Sequence, residues 1–209
     1  MGKTAIALLL ALSALVFAAN PKTYTILVLG DSLTEGYGVE KEEAFPALVE
    51  KRLNAGKGGA AVKVVNGGSS GSTSASGVRR LKWYARSKPD LVVLALGSND
   101  GLRGVKVEET RRNVEAAIAF CKEKGWKAVL VGLQVPPNYG PRYADDFKAL
   151  YPDLARKHDL PLLGFLLEGV AGEAEMNLAD GIHPNERGHV RIAGNLAAFL
   201  MPLLPAQSP

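Results

Sequence analysis

The chain has 209 residues, 47% of them hydrophobic and 22% charged, with a single cysteine. That length and apolar content suit one globular domain with a sizeable core and exclude both an intrinsically disordered chain and a disulfide-built miniature. The 25 basic and 21 acidic residues give a formal charge of +4, and the two signs read as interleaved, as in Glu50-Lys51-Arg52 or Lys122-Glu123-Lys124, so nucleic acid is not an indicated partner.

Residues 1–18 read as a secretory signal. Lys3 precedes an apolar run over 5–19 broken only by Ser13, and Val16 and Ala18 stand at the −3 and −1 positions of a cleavage site. The run is short for a membrane span. Cleavage after Ala18 leaves about 191 residues with a charge of about +3, destined for the periplasm or the exterior. Residues 19–209 read as one domain, monomeric by default for a compact unit of this size.

Short apolar runs at 24–29, 62–65, 91–96 and 128–131 each end at Gly or Asn-Gly and predict strands; 161–163 is a weaker fifth. Helical periodicity falls over 43–53, 73–87, 107–124, 143–157 and 185–201. Cys121 continues the series Val107, Thr110, Val114, Ile118 on one helical face and is assigned to the core. Several strands are continuous rather than alternating apolar runs, as a parallel sheet covered on both faces requires. The fold class is therefore α/β, a three-layer α/β/α sandwich with a central, mainly parallel five-stranded sheet.

In such sheets ligands bind beyond the carboxyl ends of the strands, and four polar loops lie there. Gly30-Asp31-Ser32-Leu33 follows the first strand, where a Ser at a strand-to-helix turn exposes its hydroxyl; the same tripeptide equally makes a turn or a helix cap. Gly67-Gly68-Ser69-Ser70-Gly71 follows the second, without the spacing of a dinucleotide fingerprint or the Lys of a P-loop, and Gly71 suits a backbone N–H aimed at a small anion. After the third strand, Asn99 in Gly97-Ser98-Asn99-Asp100 offers a side-chain N–H donor. The fourth loop, Asp180-Gly181-Ile182-His183-Pro184, holds one of three histidines. His158 lies at the polar end of a helix and His189 inside the last helix, where packing or hydrogen bonding accounts for it. Only His183 has an acid three residues earlier across a tight turn, where a carboxylate can fix the imidazole tautomer. No second His or Cys at ligand spacing accompanies the pair, so no metal is assigned.

These blocks, in this order, resemble the GDSL or SGNH hydrolase family, most closely its small periplasmic arylesterase, acyl-CoA thioesterase and lysophospholipase group. Pro137-Asn138-Tyr139-Gly140-Pro141-Arg142-Tyr143, followed by Phe147, is similar to that group's substrate-side loop. The resemblance implies a flavodoxin-like SGNH fold and a serine esterase without cofactor, acting on small-molecule esters or thioesters. It further implies Ser32 as nucleophile, His183 as base and Asp180 as its partner, with the N–H groups of Ser32 and Gly71 and the amide of Asn99 as the oxyanion hole. Ser72 departs from the Asp that many close relatives carry beside that Gly. Asp31, Leu33, Leu102 and Tyr139 are candidates for substrate contact. A carbohydrate O-acetylesterase on the same fold and a non-catalytic flavodoxin-like binding module are the alternatives.

Overall fold

A computed structural model of the chain describes residues 23–55 and 61–205, so the secretory signal read at 1–18 lies outside the described residues. Five parallel strands, β1 (Tyr24–Leu29), β2 (Val62–Gly67), β3 (Leu91–Leu94), β4 (Lys127–Val131) and β5 (Leu162–Leu163), lie in the order β2-β1-β3-β4-β5. Ile26 to Leu29 and Val92 to Leu94 are buried throughout. Apolar side chains on both faces of these strands need cover on both sides.

Helices supply that cover. One layer packs α2 (Phe45–Asn54) against α7 (Glu186–Leu200); the other joins α3 (Gly77–Tyr84), α5 (Val107–Glu123) and α6 (Pro141–His158). In α5 the residues Val107, Thr110, Val114, Ala117, Ile118 and Cys121 are buried, the stripe that a period of 3.6 produces. Cys121 is core filler, as its spacing predicts, and burial pushes its thiol up to about 12.

Element bounds differ from the sequence reading where local propensity is weak. The helix expected over 73–87 is split into a 3-10 turn at Ser74–Ser76, α3, and a 3-10 turn at Ala85–Ser87. Ser74, Ser76 and Gly77 at its start disfavour a regular α-helix. Two short helices, α1 (Ser32–Glu35) and α4 (Ser98–Leu102), have no apolar period to announce them.

One expectation about charge fails. Residues 51–89 contain nine of the 25 basic residues and none of the 21 acidic ones, so the signs are segregated. This run forms the β2 edge of the sheet with the end of α2 and all of α3. Outside that run, as over 100–159, the two signs are interleaved as expected.

The register sets the site. Leu29 is level with Gly67 on one side and Leu94 on the other, and Leu94 with Leu130. The first four strands therefore end together, and the loops after β1, β2 and β3 emerge side by side. The chain turns to β2 on one side of β1 and to β3 on the other, which opens a crevice at β1. Gly68 allows the closest contact there: a Cβ on it would lie 2.1 Å from the Glu35 amide nitrogen, so the β2 loop can lie against α1 only without a side chain.

Candidate active site

Ser32 is the first residue of α1, capped by the Asp31 carboxylate, which accepts from the Leu33 N–H at 3.1 Å. A first-turn residue has no acceptor for its N–H within its own helix, so the Ser32 backbone N–H and Oγ both start at the strand end. Oγ lies 3.0 Å from Nε2 of His183, 151 residues away in the chain.

His183 arrives through an anchored turn. Leu178 donates to the His183 carbonyl at 2.7 Å, Gly181 to that of Leu178 at 2.9 Å, and Asn177 pairs with Pro184 in an antiparallel bridge. Inside it, Oδ1 of Asp180 accepts from the N–H groups of Ile182 at 2.8 Å and His183 at 3.0 Å, and Oδ2 lies 2.7 Å from His183 Nδ1. The backbone N–H of His183, its ring and the N–H of Ile182 hold the Asp180 carboxyl down at about 2. An ionised carboxylate only accepts, so Nδ1 carries the imidazole proton and the Nε2 lone pair faces the Ser32 hydroxyl.

The β2 and β3 loops meet at two adjacent carbonyls, those of Gly71 and Ser72. Asn99 Nδ2, on α4, donates to the Ser72 carbonyl at 3.1 Å; the amide has two N–H groups and this bond uses one. Arg103 donates to the Gly71 carbonyl at 3.0 Å. Gly71 has φ +71, and a Cβ there would meet only the Arg103 guanidinium at 3.7 Å, so conformation rather than space calls for glycine. Ser32, Asp180 and His183 thus come together, and Gly71 and Asn99 lie on two joined loops that emerge at the same strand ends.

Other candidates take different places. Asp31 and Leu33 are almost fully buried, the first capping α1 and the second joining the core. Leu102 and Tyr139 are joined by a bond from the Tyr139 hydroxyl to the Leu102 carbonyl at 2.5 Å. His158 lies 2.8 Å from Glu115. His189 is fully buried and accepts from the Phe45 N–H at 3.2 Å through Nδ1; burial pushes its pKa down to about 4.

Sequence reading missed several residues around this centre. The Tyr37 ring lies 4.6 Å from that of His183 and remains half exposed; its place between Gly36 and Gly38 was the available signal. Arg80 reaches in from α3 to Ser72 Oγ at 2.8 Å, to the Gly30 carbonyl at 2.7 Å and to the Gly67 carbonyl, tying the ends of β1 and β2 to the Gly71 loop. Glu35 accepts from both the N–H and the hydroxyl of Ser70. Buried Asp100, next to Asn99, accepts from the Ser74 N–H at 2.8 Å, from the Ser74 hydroxyl and from Thr110 at 3.2 Å, holding α4 and α5 to the β2 loop. Among the described residues no group of three His, Cys, Asp or Glu could hold a metal ion, and no helix is long and apolar enough to cross a membrane.

The model of the GDSL-like lipase/acylhydrolase family matches residues 28–191, which span every element of this site. The chain belongs to that family. This acylhydrolase is 41% identical over 181 residues to the esterase TesA of Pseudomonas aeruginosa, covering 86% of the chain and 89% of that protein. It is 38% identical to the thioesterase 1/protease 1/lysophospholipase L1 of Escherichia coli K12, covering 86% and 85%. The crystal structure of the esterase EstA from Pseudoalteromonas sp., inhibited by monoethylphosphonate, superposes with a TM-score of 0.80 at 29% identity, covering 86% and 97%. The acylhydrolase is an esterase of this family, with the fold its resemblance implied.

Proposed function

We propose that this acylhydrolase is an exported serine esterase that cleaves carboxylic esters and thioesters through Ser32. His183 is its base and Asp180 orients that base. The observation that carries the reading is the continuous line from Ser32 Oγ to His183 at 3.0 Å and from His183 to Asp180 at 2.7 Å. The segment at 1–18 supports export, and the relatives' activities support a substrate range of esters, thioesters and lysophospholipids.

His183 Nε2 takes the Ser32 proton as Oγ attacks the acyl carbonyl, and the imidazolium so formed is stabilised by the Asp180 carboxylate. Negative charge on the former carbonyl oxygen meets the N–H groups of Ser32 and Gly71 and the second N–H of the Asn99 amide. The imidazolium returns its proton to the leaving alcohol or thiol. Water, activated in turn by His183, then releases the acid. Tyr37 and the Leu102–Tyr139 pair are the side chains assigned to the walls.

Ser32→Ala should lower kcat on a p-nitrophenyl ester by at least about a thousandfold and abolish labelling by a fluorophosphonate probe. Labelling of the folded variant, or loss of less than tenfold, would overturn the assignment. A series of acyl chains from two carbons to sixteen separates a fatty-acyl esterase from an acetyl-specific one.

A further inference from the structure

The acid-free run over 51–89 has its densest part on α3, and the structure shows where those charges go. Arg79, Lys82 and Trp83 on α3 and Arg86 in the 3-10 turn that continues it follow an i, i+3, i+4, i+7 spacing, and all four are exposed. Trp83 is 55% exposed, although large aromatic side chains are normally the first to be buried. One face of its ring is covered by the Arg86 guanidinium, 3.5 Å from the ring centroid. Among the described residues none of Arg79, Lys82, Arg86 and the neighbouring exposed Lys88 forms an ion pair with an acid. Elsewhere among the described residues some surface cations are paired, as Arg111 with Asp153, Lys157 with Glu115 and Arg187 with Glu175, and others, such as Lys41 and Lys148, are not; what sets the ridge apart is that its cations cluster around an exposed tryptophan.

Beside this ridge runs a groove of about 710 Å³ between α3 and α5, floored by Val78, Ala85, Ala116, Ala119 and Phe120, with Lys82 on one rim and the Lys124–Glu123 pair on the other. Helix α3 thus offers an amphipathic tryptophan, unneutralised cations and adjoining apolar surface on one side. On its other side Arg80 holds the Gly71 loop.

We propose that the Arg79–Lys82–Trp83–Arg86 ridge docks this enzyme on an anionic lipid bilayer. Unpaired Lys and Arg are drawn to the negative surface potential of acidic phospholipids, and a tryptophan flanked by cations settles at the level of the headgroups, its ring among the upper acyl carbons. A nucleic acid would use the cations but not the apolar groove. The ridge lies on the flank of the sheet and leaves the strand ends open, so the bound enzyme keeps its site free for acyl substrates leaving the same bilayer. Docking does not depend on the ester reading, because soluble-substrate hydrolysis is scored separately.

The test is cosedimentation of the full mature chain with vesicles of pure phosphatidylcholine and of phosphatidylcholine containing three parts in ten phosphatidylglycerol, at low and at high salt. Binding is expected to be at least tenfold tighter to the anionic vesicles, to weaken with salt, and to shift Trp83 fluorescence to the blue. The triple variant Arg79→Ser, Lys82→Ser, Arg86→Ser should lose on the order of a hundredfold, about fivefold per cation. Trp83→Ala should abolish the shift, and both variants should hydrolyse a soluble ester at the parent rate. A charge-matched control, Lys41→Ser, Lys148→Ser, Arg187→Ser, should bind as the parent does. Equal binding to both vesicle types, equal loss in the control, or binding to duplex DNA tighter than to anionic vesicles would each overturn the proposal.

Discussion

Acidification should destabilise this protein through one residue far from its chemistry. His189 is fully buried on α7 and uses Nδ1 as an acceptor for the Phe45 N–H at the start of α2; its Nε2 has no partner. Protonation would set two N–H groups against each other and place a charge in a buried site where the nearby Glu186 carboxylate offsets only part of the cost. Its folded pKa of about 4 lies below the ordinary value of 6.5. Above pH 6.5 both states are neutral and the residue has no pH-dependent effect. Below that, the unfolded chain takes up a proton that the folded one refuses, so stability falls until the folded pKa is passed. The difference is about 2 kcal/mol between pH 7 and pH 5, and about 3 kcal/mol at pH 4. Urea melts at several pH values measure it directly. The comparison is with His189→Gln, whose side-chain oxygen can still accept from Phe45 but does not titrate, so other acid-labile groups cancel. If parent and variant lose stability in parallel from pH 7 to pH 4, the argument is wrong.

Three predictions concern the site. Asn99→Ala should lower kcat on the order of a hundred- to thousandfold while changing KM little, because the lost donor acts on charge that develops in the transition state; steady-state kinetics on one ester decide it, and a rise in KM alone would contradict it. The Asp180 carboxyl, held at about 2, stays ionised across the working range. Its favourable contribution is lost only as pH falls through that value, so Asp180 should add no ionisation to the acid limb of kcat/KM down to pH 4; a limb steeper than a single ionisation would place Asp180 in the titration. Tyr37→Ala should lower kcat/KM several-fold more for an aryl ester than for an alkyl ester of the same acid, since its exposed ring lies over the imidazole where a leaving group departs. Equal effects on both would remove Tyr37 from the leaving-group side.

Much of this arrangement was legible in the residues. Strand ends at Gly30, Gly67 and Gly97 pointed to one sheet edge, and the Asp180 to His183 spacing pointed to a single base. These signals are local: a turn, a cap or a period is written within a few neighbours. Arg80, Glu35 and Asp100 were not legible, because each binds a loop distant in sequence and an isolated Arg or Asp looks the same whether it faces water or a carbonyl. The burial of Asp31 and Leu33 was not legible either, because only the helix that starts at Ser32 turns the residues on either side of it inward. The charge pattern was misread because it was sampled in pairs rather than over a window as long as 51–89.

The order in which the site's parts occur along the chain bears on when it can act. Ser32, Gly71 and Asn99 all lie in its first half, whereas Asp180 and His183 precede only the final helix, and that helix is fastened to α2 through His189 and Phe45. Synthesis or export proceeding from the amino terminus therefore delivers the hydroxyl long before anything that can take its proton. Until α7 is seated the serine is an ordinary alcohol, and the last segment to emerge is the one that arms the enzyme.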